Sequence, residues 1–399
     1  MSKRILYINE SLNTGSTGHI VEHLGLAAQQ AGYECLVAHG ARYVQESQLA
    51  SFAFSTVGEE YVHGGLSMGF NAHGLGSYWA TKRLIARIEQ YRPHIIHLHN
   101  IHGYYLHYPS LFAYLKASGI PVIWTLHDCW AMTGRCAHFT AQNCHQWKTG
   151  CTHCPSYRDY PRSLVSFGVE RNYRLKKNAF ASLTNMTIVP VSKWMEEIVQ
   201  QSFLSNCHIQ TIYNGINTSV FYPMPIEKAD DKIHILGVAS QWTETKGWSD
   251  WLHLAQRLGD TYRITLVGVT EAQKKMLPNN CMGITRTDKI DQLVHYYSEA
   301  DIYVNLAHQE AFGLTLIEAM ACGTPCISYR TTAIPEIITP EVGGCVQDGN
   351  IDEVLDAIQK FGRQMKKEKS NRCRQYVQTL FDEQSNIAQY MALYDKIVL

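Results

Sequence analysis

R-I-L-Y-I-N-E-S-L-N-T-G-S-T-G-H-I-V-E-H-L-G-L-A-A-Q-Q-A-G-Y-E-C-L-V-A, from Arg4 to Ala38, decides the fold class. Arg4 to Ile8 is a short apolar run that reads as a buried strand, and N-T-G-S-T-G (Asn13 to Gly18) is a turn-rich loop. From His19 to Gln30 the residues Ile20, Val21, Leu24 and Ala28 recur at helical spacing, and Gly32 is placed to end that helix. Cys35 to Ala38 is the next strand. Strand, glycine loop, helix, strand is the opening of a doubly wound parallel sheet.

The alternation continues. Helices are predicted over Thr81–Tyr91 and Tyr108–Ser118, and strands over His94–His99, Val122–Leu126, Ile188–Val191 and Ile209–Ile212. A turn-rich connector, Y-N-G-I-N-T-S-V-F-Y-P-M-P, and a polar stretch, Ala229 to Lys232, mark a domain boundary. A second alternation starts with a strand at Ile233–Ala239 and the loop T-E-T-K-G. It continues with a Trp-rich helix (Trp248, Trp251) and strands at Arg263–Val267, Asp301–Leu306 and Pro325–Ser328. Helices are predicted at Ile290–Glu299, Leu314–Ala321 and Asp352–Phe361. The expected fold class is therefore α/β, with two Rossmann-like doubly wound domains facing across a cleft. The expected boundaries are 1–215, with a Cys-rich insertion at 129–155, then 216–380, and a C-terminal helix, 381–399, crossing back to the first domain. Ligands of open parallel sheets bind outside the carboxyl ends of the strands.

Composition narrows the function. The 399 residues carry 35 Lys and Arg against 35 Asp and Glu, so no global field favours nucleic acid. The N-terminal apolar stretch is too short for a signal peptide, and no apolar run approaches the roughly 18 residues that span a bilayer. A cytoplasmic protein is expected, resting at most peripherally on the inner membrane face. In that compartment the 12 cysteines are thiols or metal ligands rather than disulfides. Cys35, Cys207, Cys281, Cys322, Cys326 and Cys345 sit in apolar segments and read as small core hydrophobes.

The stretch that carries chemistry is E-A-F-G-L-T-L-I-E-A-M-A, Glu310 to Ala321. Glu310 lies in the loop after a predicted strand, Gly313 permits close backbone approach, and the helix begins near Leu314. Free N–H groups at Leu314 and Thr315, with the helix dipole behind them, suit a diphosphate. Glu318, about one turn in, can accept two hydrogen bonds from a ribose diol, and Glu310 can do the same for sugar hydroxyls. A solvated helix carboxylate is the plainer alternative, but Glu318 is flanked by Leu316, Ile317, Ala319 and Met320.

This E-x7-E pattern, with A-D-I-Y-V-N-L before it, E-A-M-A-C-G-T-P at its second Glu and I-P-E-I at Ile334–Ile337, resembles the nucleotide-sugar motif of retaining GT-B glycosyltransferases of family 4. The resemblance covers nearly the whole chain. Y-N-G-I-N with F-Y-P is similar to that family's interdomain segment, and F-D-E-Q-S (Phe381–Ser385) to the start of its last helix. G-S-T-G-H-I (Gly15–Ile20), I-I-H-L-H-N-I-H-G (Ile95–Gly103) and W-T-L-H-D-C-W (Trp124–Trp130) resemble the bacterial exopolysaccharide group that includes colanic-acid-type transferases.

The resemblance implies roles. Glu310 would contact donor-sugar hydroxyls and Glu318 the ribose, while backbone groups near Phe312, Gly313, Leu314 and Thr315 line the sugar and diphosphate. Lys246 matches the diphosphate-binding Lys and can neutralise charge on the leaving group. His127, at the end of a strand, matches the His that contacts the donor sugar. Asp128 beside it could orient its ring, while His97, His99 and His102 read as structure or cleft lining. Gly15 and Gly18 fall near the donor phosphates or the acceptor. Gln241 stands where the family carries an Arg, so one diphosphate contact loses its charge, and Arg263, Arg286 and Arg330 are the candidate substitutes. The implied donor is a nucleoside-diphosphate sugar of UDP or GDP type. The implied acceptor is a glycan or a polyprenyl-diphosphate-linked glycan. No D-x-D-type motif stands out, so no catalytic metal is expected. The rivals are another GT-B enzyme (an inverting transferase or an epimerase) and a non-catalytic nucleotide-sugar-binding subunit.

Two features stand outside this scheme. Cys136, Cys144, Cys151 and Cys154, followed by Pro155, fit either a structural four-thiolate zinc site or a set of free thiols. R-N-Y-R-L-K-K-N-A-F (Arg171–Phe180) is basic with interleaved aromatics; it reads first as a solvated helix face and second as a contact for anionic lipid.

Overall fold

The computed structural model describes residues 3–228, 230–287 and 289–398, and the chain divides into two compact units, Met1–Ile212 with Ile387–Leu399, and Tyr213–Asn386. In the first unit β1 (Arg4–Asn9), β2 (Glu34–His39), β3 (Ala50–Ala53), β4 (Ile95–Leu98), β5 (Val122–Leu126), β6 (Met186–Pro190) and β7 (His208–Ile209) form one sheet in the order β3-β2-β1-β4-β5-β6-β7. In the second, β8 (Ile233–Val238), β9 (Tyr262–Val267), β10 (Cys281–Ile284), β11 (Ile302–Asn305), β12 (Cys326–Tyr329) and β13 (Gly343–Val346) are ordered β10-β9-β8-β11-β12-β13. Every pairing between these strands is parallel.

The strands are uninterrupted apolar runs because both faces of a parallel sheet are covered. Ile5 to Ile8 of β1 have no exposed surface, and neither do Ile95, Ile96 and Leu98 of β4. The order reverses between β1 and β4, and again between β8 and β11. In open parallel sheets, loops leaving the carboxyl ends at such a reversal diverge, and ligands bind between them.

Several elements differ from expectation. The first helix runs from Gly15 to Gln30, so Gly15 and Gly18 lie in its first turn rather than in a preceding loop. The helix expected over Thr81–Tyr91 begins at Tyr78, and pairing at the sheet edge stops after Ile209. The helix expected over Asp352–Phe361 extends from Ile351 to Leu380, broken where Gly362 takes non-helical angles (φ 41°, ψ −144°). Short elements also go unforeseen: β3, β10, β13 and the helices Val57–Phe70 and Lys193–Gln200.

Inside the first unit, the last helix (Glu383–Val398) packs Ile387, Tyr390, Leu393 and Tyr394 against Ile5, Tyr7, Ile95 and Ile123. A buried polar relay pins it. The Tyr394 hydroxyl meets His97 Nδ1 at 2.7 Å and accepts from the Tyr7 hydroxyl at 3.3 Å. His97 Nε2 lies 2.8 Å from Thr125 Oγ1, which meets the Tyr390 hydroxyl at 3.2 Å. Burial drives His97 down to about 3, so it is a neutral structural residue. Tyr394→Phe strips His97 Nδ1 and the Tyr7 hydroxyl of a partner in a fully buried site. A loss of about 1–3 kcal/mol is expected in urea unfolding, whereas an unchanged midpoint would show the relay contributes nothing.

Candidate active site

The second unit gathers its chemistry where β8 and β11 part. The loop after β8 runs through Gln241 to Lys246 in a short 3-10 turn (Glu244–Lys246), and the loop after β11 runs from Leu306 to Gly313. Lys246 Nζ and Glu310 Oε1 are 2.6 Å apart, an ion pair bridging the two loops. The loops approach closely because residue 247 is glycine. It has φ +75°, and a Cβ there would stand 2.2 Å from the Leu306 carbonyl oxygen. Thr332 fixes the loop from the other side, accepting from the Glu310 N–H at 2.9 Å and donating to the Glu310 carbonyl at 2.7 Å.

Beyond Gly313 the helix Leu314–Ala321 starts with no side-chain cap. Its first amides, at Leu314 and Thr315, have no intrahelical acceptor and carry the positive end of the dipole. Phe312 is buried with its ring against Tyr213 and Phe381 (centroids 5.9 and 5.7 Å away), so only its backbone can serve a ligand. The connector and the final motif meet here too: the Ile216 N–H donates to the Phe381 carbonyl and the Glu383 N–H to the Ile216 carbonyl, both at 3.0 Å.

Glu318 is half-buried on that helix, and the Tyr297 hydroxyl donates to its Oε2 at 2.7 Å. Burial lifts the carboxyl to about 7 although the Tyr297 hydroxyl pulls the other way. Of the substitute cations, Arg263 is excluded. It lies at the amino end of β9, paired with Asp230 at 2.7 Å, on the sheet edge opposite the loops. Arg330 stands past the carboxyl end of β12 and donates to the Cys345 carbonyl at 3.2 Å. Arg286 is exposed after β10, and Gln241 is exposed. Sequence reasoning missed His308, stacked on Tyr329 and 2.7 Å from Asp348 Oδ1. It also missed Tyr297 and Thr332; each lies on a separate element, and no motif links them.

The first unit has its own cluster at the β1/β4 switch point and the end of β5. His127 Nε2 lies 3.0 Å from His99 Nδ1 with the rings stacked. Burial drives His127 down to about 4, so it is a neutral hydrogen-bonding group. Asp128 pairs with His102 at 2.8 Å. Burial opposes ionisation of both, but their mutual attraction wins, holding Asp128 at about 2 and His102 above the usual imidazole value. Glu10, the first residue after β1, also went unforeseen. Its carboxyl rests on Gly103 (φ +121°), where a Cβ would come 2.1 Å from Glu10 Cδ. Burial raises it to about 7, against His102 and Arg42.

Among the described residues no group of three or more His, Cys, Asp or Glu side chains is arranged to hold a metal ion. Within the cysteine segment Cys136 and Cys154 share a hydrogen bond, and Cys151 Sγ accepts from the Gly134 N–H at 3.2 Å. The basic stretch forms the helix Val169–Phe180 and is not simply a solvated face. Lys176 is buried 3.5 Å over the Trp130 ring and donates to the Trp130 carbonyl at 2.6 Å.

The family model for Glycosyltransferase Family 4 matches residues 17–220, and that for Glycosyl transferases group 1 matches residues 224–379. The chain is 25% identical over 375 residues to WcaC of Escherichia coli (strain K12), named for glycosyl transfer in colanic acid biosynthesis, covering 88% of this chain and 84% of that one. It is 26% identical over 257 residues to the N-acetyl-alpha-D-glucosaminyl L-malate synthase of Bacillus anthracis, covering 58% and 62%. Among solved structures it resembles the sucrose-phosphate synthase of Thermosynechococcus elongatus (TM-score 0.68, 18% identity, 99% of each chain). It also resembles Anabaena HepE in complex with UDP and glucose (TM-score 0.65, 15% identity, 99% of this chain and 100% of that one).

The raised Glu318 carboxyl carries a stability signature. Its folded value, about 7, exceeds the ordinary 4.5, so the folded state loses stability as pH rises through that window. Glu318→Gln keeps an acceptor for Tyr297 and removes the charge. The substitution is expected to raise Tm more at about pH 8 than at about pH 5; an equal shift at both would show that Glu318 is not raised.

Proposed function

This chain belongs to glycosyltransferase family 4, and we propose that it is a retaining enzyme moving a sugar from a UDP- or GDP-type donor to a glycan or polyprenyl-diphosphate-linked glycan in surface polysaccharide synthesis. It is a glycosyltransferase with the GT-B fold; donor, acceptor and stereochemistry are what is proposed. The observation that carries the donor site is the Lys246–Glu310 pair, 2.6 Å apart, in front of the uncapped helix that bears Glu318. The Anabaena HepE structures in complex with UDP and with UDP-glucose support a nucleotide-sugar donor, and the name of the colanic acid relative supports a polysaccharide product.

The chemistry assigned to these residues needs no protein nucleophile. The diphosphate sits against the amides of Leu314 and Thr315, with Lys246 neutralising the charge that builds as it leaves. Binding would draw Lys246 from Glu310 toward the phosphates and release Glu310 for sugar hydroxyls. Glu318 takes the ribose diol, and a hydrogen bond from neutral His127 to a donor sugar is assigned by the family resemblance alone. The acceptor oxygen attacks the face that the diphosphate leaves, its proton passes to the departing phosphate oxygen, and the anomeric configuration is retained. A structural zinc at Cys136, Cys144, Cys151 and Cys154 is a separate proposal that rests on the cysteine spacing alone, because these thiols are not gathered into a ligand set here. The measurement for it is metal content of protein prepared without chelator, with no zinc refuting it.

The test begins with thermal stability against UDP, GDP, ADP and CMP. A ligand specific to the folded state raises Tm in proportion to RT ln(1 + [L]/Kd). One diphosphate should stabilise the wild type and fail with Glu318→Ala. Because a diol favours the ionised carboxylate, nucleotide affinity should rise from about pH 6 to about pH 8, and Glu318→Gln should flatten that rise. Lys246→Ala and Glu310→Ala should each lower kcat by about 100-fold or more. Full activity in either variant removes that residue from the mechanism, and an inverted product anomer refutes retention.

A further inference from the structure

The helix Val57–Phe70 is built inside out. Its buried positions are polar: Glu60, His63 and Ser67 face the first unit. Glu60 accepts from the Ala41 N–H and the Ser55 hydroxyl at 2.6 Å each and pairs with Arg42 at 2.6 Å. His63 Nε2 accepts from the N–H groups of Gly74 and Gly76, at 3.0 and 3.1 Å. Val57, Tyr61, Val62, Leu66, Met68 and Phe70 are exposed, with Tyr61 and Val62 at 67% and 66% and Phe70 at 60%. A surface helix normally turns these residues inward.

The apolar face continues onto a neighbouring loop. The Leu164 N–H donates to the Met68 carbonyl at 2.9 Å, and Asn71 Nδ2 donates to the Phe167 carbonyl at 2.8 Å. These bonds hold Leu164 (65% exposed) and Phe167 (59%) beside Met68 and Phe70. The charge of the segment that carries this loop is lopsided, and Arg171 ties it to the helix end by donating to the Phe70 carbonyl at 3.4 Å. From residue 158 to 177 the exposed ionisable side chains are Arg158, Arg162, Arg171, Arg174 and Lys177 against Asp159 and Glu170. The helix's own carboxylates are neutralised, Glu59 by Arg83 and Glu60 by Arg42, each at 2.6 Å. Since the whole chain has no net charge, this surplus is local.

We propose that the outward face of the Val57–Phe70 helix and the Ser163–Phe167 loop form a docking surface for an anionic lipid bilayer, apolar side chains entering the acyl boundary and the arginines meeting headgroup phosphates. Amphipathic helices bind bilayers in this way, and exposed apolar residues gathered on one surface mark interaction sites. The positive rim selects an anionic bilayer over a second copy of the chain, which would bring like charges together. Among the described residues no helix is long and apolar enough to cross a membrane, so the contact is interfacial. It involves neither Lys246, Glu310 nor Glu318, and nucleotide-binding melts keep its failure distinct from failure of the donor site.

The experiment is co-sedimentation of the full chain with vesicles of phosphatidylcholine alone or mixed equally with phosphatidylglycerol. Wild-type protein should sediment with the mixed vesicles and be released by salt. Phe70→Ser, Leu164→Ser and Phe167→Ser together should weaken this by about ten-fold or more. Arg158→Gln, Arg162→Gln and Arg174→Gln should abolish the preference for phosphatidylglycerol. Thermal melts with and without nucleotide verify that both variants fold. No sedimentation of wild type with the mixed vesicles, or equal binding by the apolar variant, overturns the proposal. So does a stable dimer in sedimentation velocity that the apolar variant dissociates.

Discussion

Every strand within each unit runs in the same direction, so every loop that follows a strand leaves the same edge of its sheet. Parallel pairing therefore concentrates chemistry without any motif needing to be contiguous. Lys246 and Glu310 are 64 residues apart, yet they are neighbours because β8 pairs with β11. Glu10, His102 and Asp128 converge because β1, β4 and β5 lie side by side. The reversal of order decides which loops face open space, and in the second unit it exposes the two that carry a cation and a carboxylate.

Burial then tunes what pairing has gathered. Asp128 and Glu10 occupy the same crevice but titrate apart. Asp128 has His102 at 2.8 Å and stays ionised, while Glu10, more weakly opposed by His102 and Arg42, is lifted to about 7 by desolvation. Glu318 follows Glu10, with a tyrosine hydroxyl in place of a cation. A carboxyl held short of a full countercharge is costly to the fold, and such groups cluster at functional sites.

Much of this was legible in the sequence. Long apolar runs bounded by glycine fix the buried strands, and helical spacing fixes the helix that carries Glu318. Glu310, Glu318 and Lys246 were singled out by their place after strands and by resemblance, and the structure brings the first and third together. The rest was illegible for specific reasons. The edge strand β3, A-S-F-A, is mostly exposed and has no alternating pattern to find. Tyr297 and Thr332 act through side-chain hydrogen bonds from distant elements. Arg263 looked available because its partners Asp230 and Glu299 are remote in sequence, and only strand register shows it at the wrong end of the sheet.

The Val57–Phe70 helix shows a deeper reason why pattern alone fails. Apolar spacing locates a helix when its inner face is apolar, and here the inner face is Glu60, His63 and Ser67. Such a face is tolerable only if its polar atoms find partners, because an orphaned buried group costs about 1–3 kcal/mol. Glu60 satisfies two donors and an arginine, and His63 accepts from two backbone amides that the Ala72–Ser77 turn supplies. The helix is thus held by polar contacts specific to its position. Its outward side chains are therefore not needed to bury the helix and are available to be apolar for another purpose. A sequence whose apolar residues are needed for the core cannot also display them, and this helix can because its anchoring is polar.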